Sequence, residues 1–278
     1  MSAHPLRSED DYLFNVPLLP AEHVTEDTGT GFVHTAPGHG VEDFEVWTAK
    51  ERLLRDRKID TSIPFTVDEA GFFTKEAPGF EGKRVIDGRP ETLRAQIDAS
   101  LTRLKTDRID LYYLHRWDKS VPVEGSVGEL GRMVEAGKVL GIGLSEVSAA
   151  TLRRAHAAHP IAAVQNEYSL WSRNVELGVL DATRELGVAL VAFSPVARGF
   201  LADGVPSFDA LVEGDIRRGM PRFQPDNLAR NLDLLAQFRI IAAPLGLTPA
   251  QLCLQWLVSR GPHVVTIPAT TRLDHLAE

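Results

Sequence analysis

Apolar positions change rhythm along the chain near residue 88. Before that point, short β-branched or aromatic runs alternate with Gly and Pro. Phe32-Val33-His34-Thr35, Ile63-Pro64-Phe65-Thr66-Val67 and Gly71-Phe72-Phe73-Thr74 read as short strands between turns. One helix is predicted from Val41 to about Lys58, with Phe44, Trp47, Leu53 and Leu54 on its apolar face. Beyond Asp87-Gly88-Arg89-Pro90 the pattern becomes regular. Glu91 to about Lys105 is an amphipathic helix carrying Leu93, Ile97, Leu101 and Leu104 on one face, and Pro90 suits its start.

Apolar runs then recur at Leu111–Leu114, Val139–Leu144, Ile161–Val164, Val188–Phe193 and Val264–Ile267. Helical patterns fall near Gly125–Ala136, Ser148–His156, Glu176–Glu185, Asn227–Ala243 and Pro249–Ser259. Such alternation predicts βα units and a parallel sheet. Polar or Gly-containing clusters follow each run: His115-Arg116, Ser145-Glu146, Gln165-Asn166, Ser194-Pro195 and Pro268-Ala269-Thr270. Polar groups at the C-terminal ends of parallel strands are what the active face of a TIM barrel presents. The expected fold is α/β: a partial (β/α)8 barrel of about five βα units over residues 88–278, preceded by a small, mostly-β segment over residues 1–87.

Composition narrows the function classes. A net charge of −8 supplies no global basic field for nucleic acid, which disfavours tRNA as a partner. The single cysteine, Cys253, sits in an apolar helical run and reads as a buried small hydrophobe. One cysteine permits no internal disulfide or cysteine metal cluster, which fits a reducing compartment. His34, His39, Glu42 and Asp43 do not read as metal ligands, because Pro37-Gly38 makes a turn between the histidines. The N-terminus has no signal-peptide pattern and no apolar run approaches bilayer length, so a cytoplasmic protein without a membrane span is expected.

Residues 1 to about 87 resemble the C-terminal half of an isoleucyl-tRNA synthetase editing domain. The resemblance is carried by Gly29-Thr30-Gly31-Phe32-Val33-His34-Thr35-Ala36-Pro37-Gly38-His39-Gly40 and extends to Ala77-Pro78-Gly79-Phe80-Glu81-Gly82-Lys83. It implies that Asp43 once held the α-ammonium of a misattached amino acid and that His34 stood beside the ester. The Thr-rich strand of that family is missing. On this reading the chain is chimera-like, and Phe72-Phe73-Thr74-Lys75 belongs to the first segment, so Lys75 is not expected to be catalytic.

Asp110-Leu111-Tyr112-Tyr113-Leu114-His115-Arg116 and Gly143-Leu144-Ser145-Glu146 resemble an aldo-keto reductase from its fourth barrel strand onward. The resemblance implies that His115 orients a substrate carbonyl. Ser145, Gln165 and adjacent Asn166 fall where the family grips the nicotinamide carboxamide. Ser194-Pro195-Val196-Ala197-Arg198-Gly199 resembles the loop that wraps the cofactor pyrophosphate. Thr270, Thr271 and Arg272 lie where the 2′-phosphate is held, and Glu278 where the adenine is contacted. NADP(H) is the implied cofactor and a small carbonyl compound the implied substrate.

The family also needs a Tyr as general acid, a Lys that lowers its pKa and an Asp behind the Lys. Tyr12 is the sole tyrosine before Tyr112 and lacks the family context. Ala269 replaces the family's Gly, and Thr271 its usual basic residue. The expectation is therefore an NADP(H)-dependent carbonyl reductase with weak cofactor binding and impaired turnover. The alternatives are an aminoacyl-tRNA deacylase remnant, or a non-functional fusion or cofactor-binding module. Open sheet edges would also allow a homo-oligomer.

Overall fold

The computed structural model describes residues 2–3, 15–16, 47–57, 59, 61, 66, 72, 74–75, 81–82, 84–202, 204–212, 215–270 and 273–277. The chain divides into two compact units. The first comprises Met1–Val85, Glu213–Ile216 and Thr271–Leu273. Its described part contains strands β1 (Ser2–Ala3) and β2 (Asn15–Val16), paired antiparallel, and helix α1 (Glu51–Asp56). Leu54 is the buried residue of α1, and Trp47 donates its indole N–H to the Thr61 carbonyl at 3.0 Å. The helix expected from Val41 is thus described over its C-terminal part, as residues 41–46 lie outside the described set. The runs at 32–35 and 63–65 also lie outside it. A backbone bond from Thr74 N to Thr66 O and an antiparallel bridge between Phe72 and Arg84 show extended pairing around the third run.

The second unit holds a five-stranded parallel sheet in sequential order. Helix α2 (Pro90–Leu104) leads into β3 (Ile109–Leu114), followed by α3 (Val123–Glu135), β4 (Val139–Ser145), α4 (Ala149–Ala158) and β5 (Ala163–Glu167). Then come α5 (Val179–Leu186), β6 (Ala189–Phe193), α6 (Pro225–Ala242), α7 (Pro249–Val258), β7 (Val264–Thr266) and, at the C-terminus, α8 (Leu273–Ala277), which begins in the first unit. Each crossover is long enough to carry a helix, as parallel pairing demands. The α/β expectation with five βα units is met. Among the described residues no single helix is long and apolar enough to cross a membrane.

Strand alternation separates two faces. On the helix-covered face Leu114, Ile142, Leu144, Val164, Leu190 and Val264 are buried and join one core cluster with Leu93, Ile97, Leu130 and Leu152. Leu104, expected on the same helix face as Leu93, is 65% exposed instead. It ends α2 just before Lys105, whose left-handed backbone (φ 54°) turns the chain away. Along the other face the register aligns Tyr113, Gly143, Ala163 and Ala189, and one layer higher Ser145, Gln165, Val191 and Val265. Gly143 is required here: a Cβ would lie 2.5 Å from the Tyr113 ring.

Ahead of α2, Asp87 accepts bonds from the Arg89 backbone N–H and guanidinium and from the Thr92 hydroxyl. Buried Asp118 then receives the Gly88 N–H at 3.3 Å, and Ser126 donates to the Gly88 carbonyl at 2.6 Å. Sterics at Gly88 are tight, with Asp118 Cβ and Ser126 Oγ each 3.0 Å from where a Cβ would stand.

Candidate active site

The C-terminal ends of β3 to β6 gather the polar residues singled out from sequence. His115 follows β3 directly and is exposed. Ser145 ends β4, is buried, and is the register partner of Gln165 on β5. Their side chains therefore emerge on the same face of neighbouring strands. Arg116 ties β3 to β4 by donating from Nη1 to Ser145 Oγ at 3.1 Å and to the His115 carbonyl at 2.7 Å. Below this layer, burial raises the Tyr113 hydroxyl pKa, and its bond with the Gln165 side chain partly offsets the rise.

Asn166 does not share the face of Gln165. It is the next residue along an extended strand, so its side chain points to the opposite side. There it lines a cavity of about 410 Å³ together with Glu146, Ser148, Glu167, Ser172 and Arg222. Its Oδ1 is buried without a hydrogen-bond partner among the described residues.

After β6 the chain makes a turn rich in left-handed backbone: Ser194 (φ 50°), Ala197 (φ 52°), Arg198 (φ 58°) and Gly199 (φ 84°). For residues other than glycine this conformation costs on the order of 1–2 kcal/mol each, so packing must impose it. Ala197 and Phe200 are buried in a second apolar cluster with Leu201, Val205, Phe223, Leu228, Leu235 and Cys253. Phe200 stands edge-on to Trp171 at 4.7 Å and to Phe223 at 6.2 Å. Within the turn the N–H groups of Ala197, Phe200 and Leu201 are taken by the carbonyls of Ser194, Ala197 and Val196, and N–H groups left open in such turns form concavities that suit anions. Cys253 is structural, its thiol pushed up to about 12 by burial.

Glu167, which the sequence reading passed over, lies at the centre of this region. It ends β5 and accepts from Arg198 Nη2 at 3.1 Å, Arg222 Nη1 at 3.2 Å and Ser172 Oγ at 2.8 Å. The available signal was a charged residue at the C-terminal end of a parallel strand, directly after Gln165-Asn166. Arg198 Nε is buried and unpartnered among the described residues. Thr270 is described and exposed beyond β7, whereas Thr271, Arg272 and Glu278 lie outside the described residues, as do His34 and Asp43. No group of His, Cys, Asp or Glu suited to a metal ion occurs among the described residues.

An "Aldo/keto reductase family" model matches residues 74–278. Among solved structures, a glycerol dehydrogenase from Gluconobacter oxydans superposes with a TM-score of 0.65 at 22% identity, over 85% of this chain and 71% of that one. A thermostable aldo-keto reductase in complex with the inhibitor epalrestat superposes with a TM-score of 0.52 at 28% identity, over 68% of this chain and 60% of that one. The chain thus spans less than two thirds of the second protein's length.

The family match begins at Thr74, inside the stretch that sequence resemblance gave to a synthetase editing fragment. Residues 74–87 therefore go to the reductase, and Lys75 with them. Neither the family match nor the similar structures support an editing fragment.

Proposed function

Because the chain belongs to the aldo/keto reductase family, we propose that it is an oxidoreductase using NADP(H) on a small carbonyl or alcohol substrate. The observation that carries this reading is the alignment of Ser145 and Gln165 as register partners, with His115 at the end of β3 and the left-handed turn at Ser194–Gly199 at the end of β6, the strand that pairs with β5. Two adjacent polar side chains on rigid strand ends fit a planar carboxamide, which offers both a donor and an acceptor. The turn after β6, with an Arg198 Nε that has no partner among the described residues, fits a phosphate group. Bound NADPH would supply a hydride to the carbonyl carbon.

His115 is exposed at its strand end, where its ring can donate to the substrate oxygen and orient it. Ser145 and Gln165 fix the carboxamide, Arg198 and Gly199 receive the pyrophosphate, and Thr270, Thr271 and Arg272 hold the 2′-phosphate. Lys75 lies within the stretch that the family model matches. No tyrosine in family context accompanies it, so proton donation falls short and turnover is slow. Asn166, facing the other side of β5, is removed from the carboxamide grip. Titrating the purified protein with NADPH while following cofactor fluorescence tests the reading. Saturable binding supports it, and absence of binding to both NADPH and NADH refutes it.

A further inference from the structure

Glu167 gathers two guanidinium groups that come from distant parts of the chain. Arg198 belongs to the turn after β6 and Arg222 to the 3-10 turn Pro221–Phe223 before α6. Both bond the same carboxylate, one on each oxygen. Ser172 donates to the Glu167 oxygen that Arg222 uses, and Arg222 also reaches Ser172 Oγ at 3.3 Å. The backbone N–H of Glu167 is in turn held by Glu146 Oε1 at 2.8 Å. Side-chain exposures of 17% for Glu167, 25% for Arg198 and 28% for Arg222 leave the group largely shielded from water.

The carboxylates of Glu167 and Glu146 lie together with the two guanidiniums, and Arg198 retains unused donor capacity. Among the described residues the buried Nε of Arg198 has no partner, although its Nη2 is anchored. Without the carboxylate the guanidiniums would repel each other at close range and the two loops would separate. Arg217 adds a second tie by donating to the Arg198 carbonyl at 3.1 Å, so the segments are joined through backbone as well as side chain.

We propose that Glu167 is a positioning residue: it clasps Arg198 and Arg222 together so that the turn after β6 is pre-shaped for the phosphate groups of a dinucleotide. This rests on the cofactor reading above and extends it to a residue that does not itself touch the cofactor. Pre-organisation lowers the cost of ordering loops on binding, which shows as affinity.

The test compares Glu167→Gln and Glu167→Asp with the unaltered protein, after thermal unfolding has shown that each variant folds. Hydrogen exchange is measured first, without cofactor, at residues 196–202 and 217–223. Faster exchange in Glu167→Gln, partly restored in Glu167→Asp because the charge is kept, is the expected result. NADPH titration follows, with an expected loss of about tenfold in affinity for Glu167→Gln, the size of one charge-assisted hydrogen bond. Adding Arg222→Ala to Glu167→Gln should cost little beyond the worse single change, because both act through one clasp.

Unchanged exchange, or exchange altered with NADPH affinity intact, overturns the proposal and leaves the cofactor reading standing. Additive losses in the double variant also overturn it. If the unaltered protein binds neither NADPH nor NADH, the cofactor reading fails and the positioning role falls with it, even where exchange responds.

Discussion

Arg116 Nη1 donates to Ser145 Oγ at 3.1 Å, linking the ends of two neighbouring strands. The same nitrogen bonds the carbonyl of His115, so one guanidinium fixes two residues of the candidate site. With its oxygen engaged as an acceptor, Ser145 retains its own proton to donate. A hydroxyl polarised in this way is suited to the carbonyl end of a carboxamide, while Gln165 alongside it can serve either end.

Arg116→Ala should therefore weaken NADPH and NADH to the same extent, by a few-fold, because the carboxamide is common to both. Ser145→Ala and Gln165→Ala should each cost about tenfold, as expected for loss of one well-placed hydrogen bond. Fluorescence titration with both cofactors checks this. A loss confined to NADPH would assign these residues to the wrong end of the cofactor.

Arg272→Ala should behave in the opposite sense. Only NADPH carries a 2′-phosphate to pair with a guanidinium, so its affinity should fall while that of NADH holds. Equal losses for the two cofactors in parallel titrations would remove Arg272 from the 2′-phosphate site.

Main-chain pairing explains where sequence reading succeeded and where it stopped. All five strands fall on apolar runs, because the helix-covered face demands buried residues such as Ile142, Leu144 and Leu190 at alternate positions. The run at Ile161–Val164 ends too early, since β5 extends through Gln165, Asn166 and Glu167 by pairing with Val191, Ala192 and Phe193. Side-chain polarity carries no information about a ladder made by backbone groups. The same blind spot put Asn166 beside Gln165, when extended geometry sends them to opposite faces. Left-handed backbone at Ser194, Ala197 and Arg198 was also illegible, as none of these is glycine and the conformation is imposed by the burial of Ala197 and Phe200. Glu167 acquires its role from arginines 31 and 55 residues away in sequence, which no local pattern reveals.

Gly143→Ala should destabilise the protein by about 1–3 kcal/mol, the usual cost of an inserted methyl in a packed site. The new Cβ would meet the Tyr113 ring at 2.5 Å, and that ring is a rigid body rather than a flexible chain end. Urea denaturation measures the loss, and pairing the change with Tyr113→Ala should recover part of it. Independent, additive effects would show that the ring does not rest on Gly143.

Asp87 supplies a pH signature. Its carboxyl is lowered to about 2, first by the Arg89 guanidinium bond, with help from the Arg89 backbone N–H and the Thr92 hydroxyl and against partial burial. A carboxylate depressed in the folded state adds stability that is fully present above its unfolded value, about 3.9. That stability drains away as pH falls toward 2. The difference in unfolding temperature between the unaltered protein and Asp87→Asn should be constant above pH 5 and shrink between pH 4 and pH 2. A difference that persists at pH 2 would mean that the contribution is not electrostatic.

Catalysis tests the reading most severely. Hydride delivery to a carbonyl builds negative charge on oxygen, and general acids typically contribute about 10²–10⁴-fold by neutralising it. His115 can orient the oxygen, but an imidazole alone does not replace a tuned tyrosine. Reduction of activated aldehydes should therefore run at least about a hundredfold slower than in an intact relative. Activity should fall further in His115→Ala. Lys75→Ala should change it little, although the family match includes this residue, because the proposed reading gives it no tyrosine to tune. A fall in Lys75→Ala as large as that in His115→Ala would show that the lysine acts on the substrate oxygen directly and that the missing acid has been replaced.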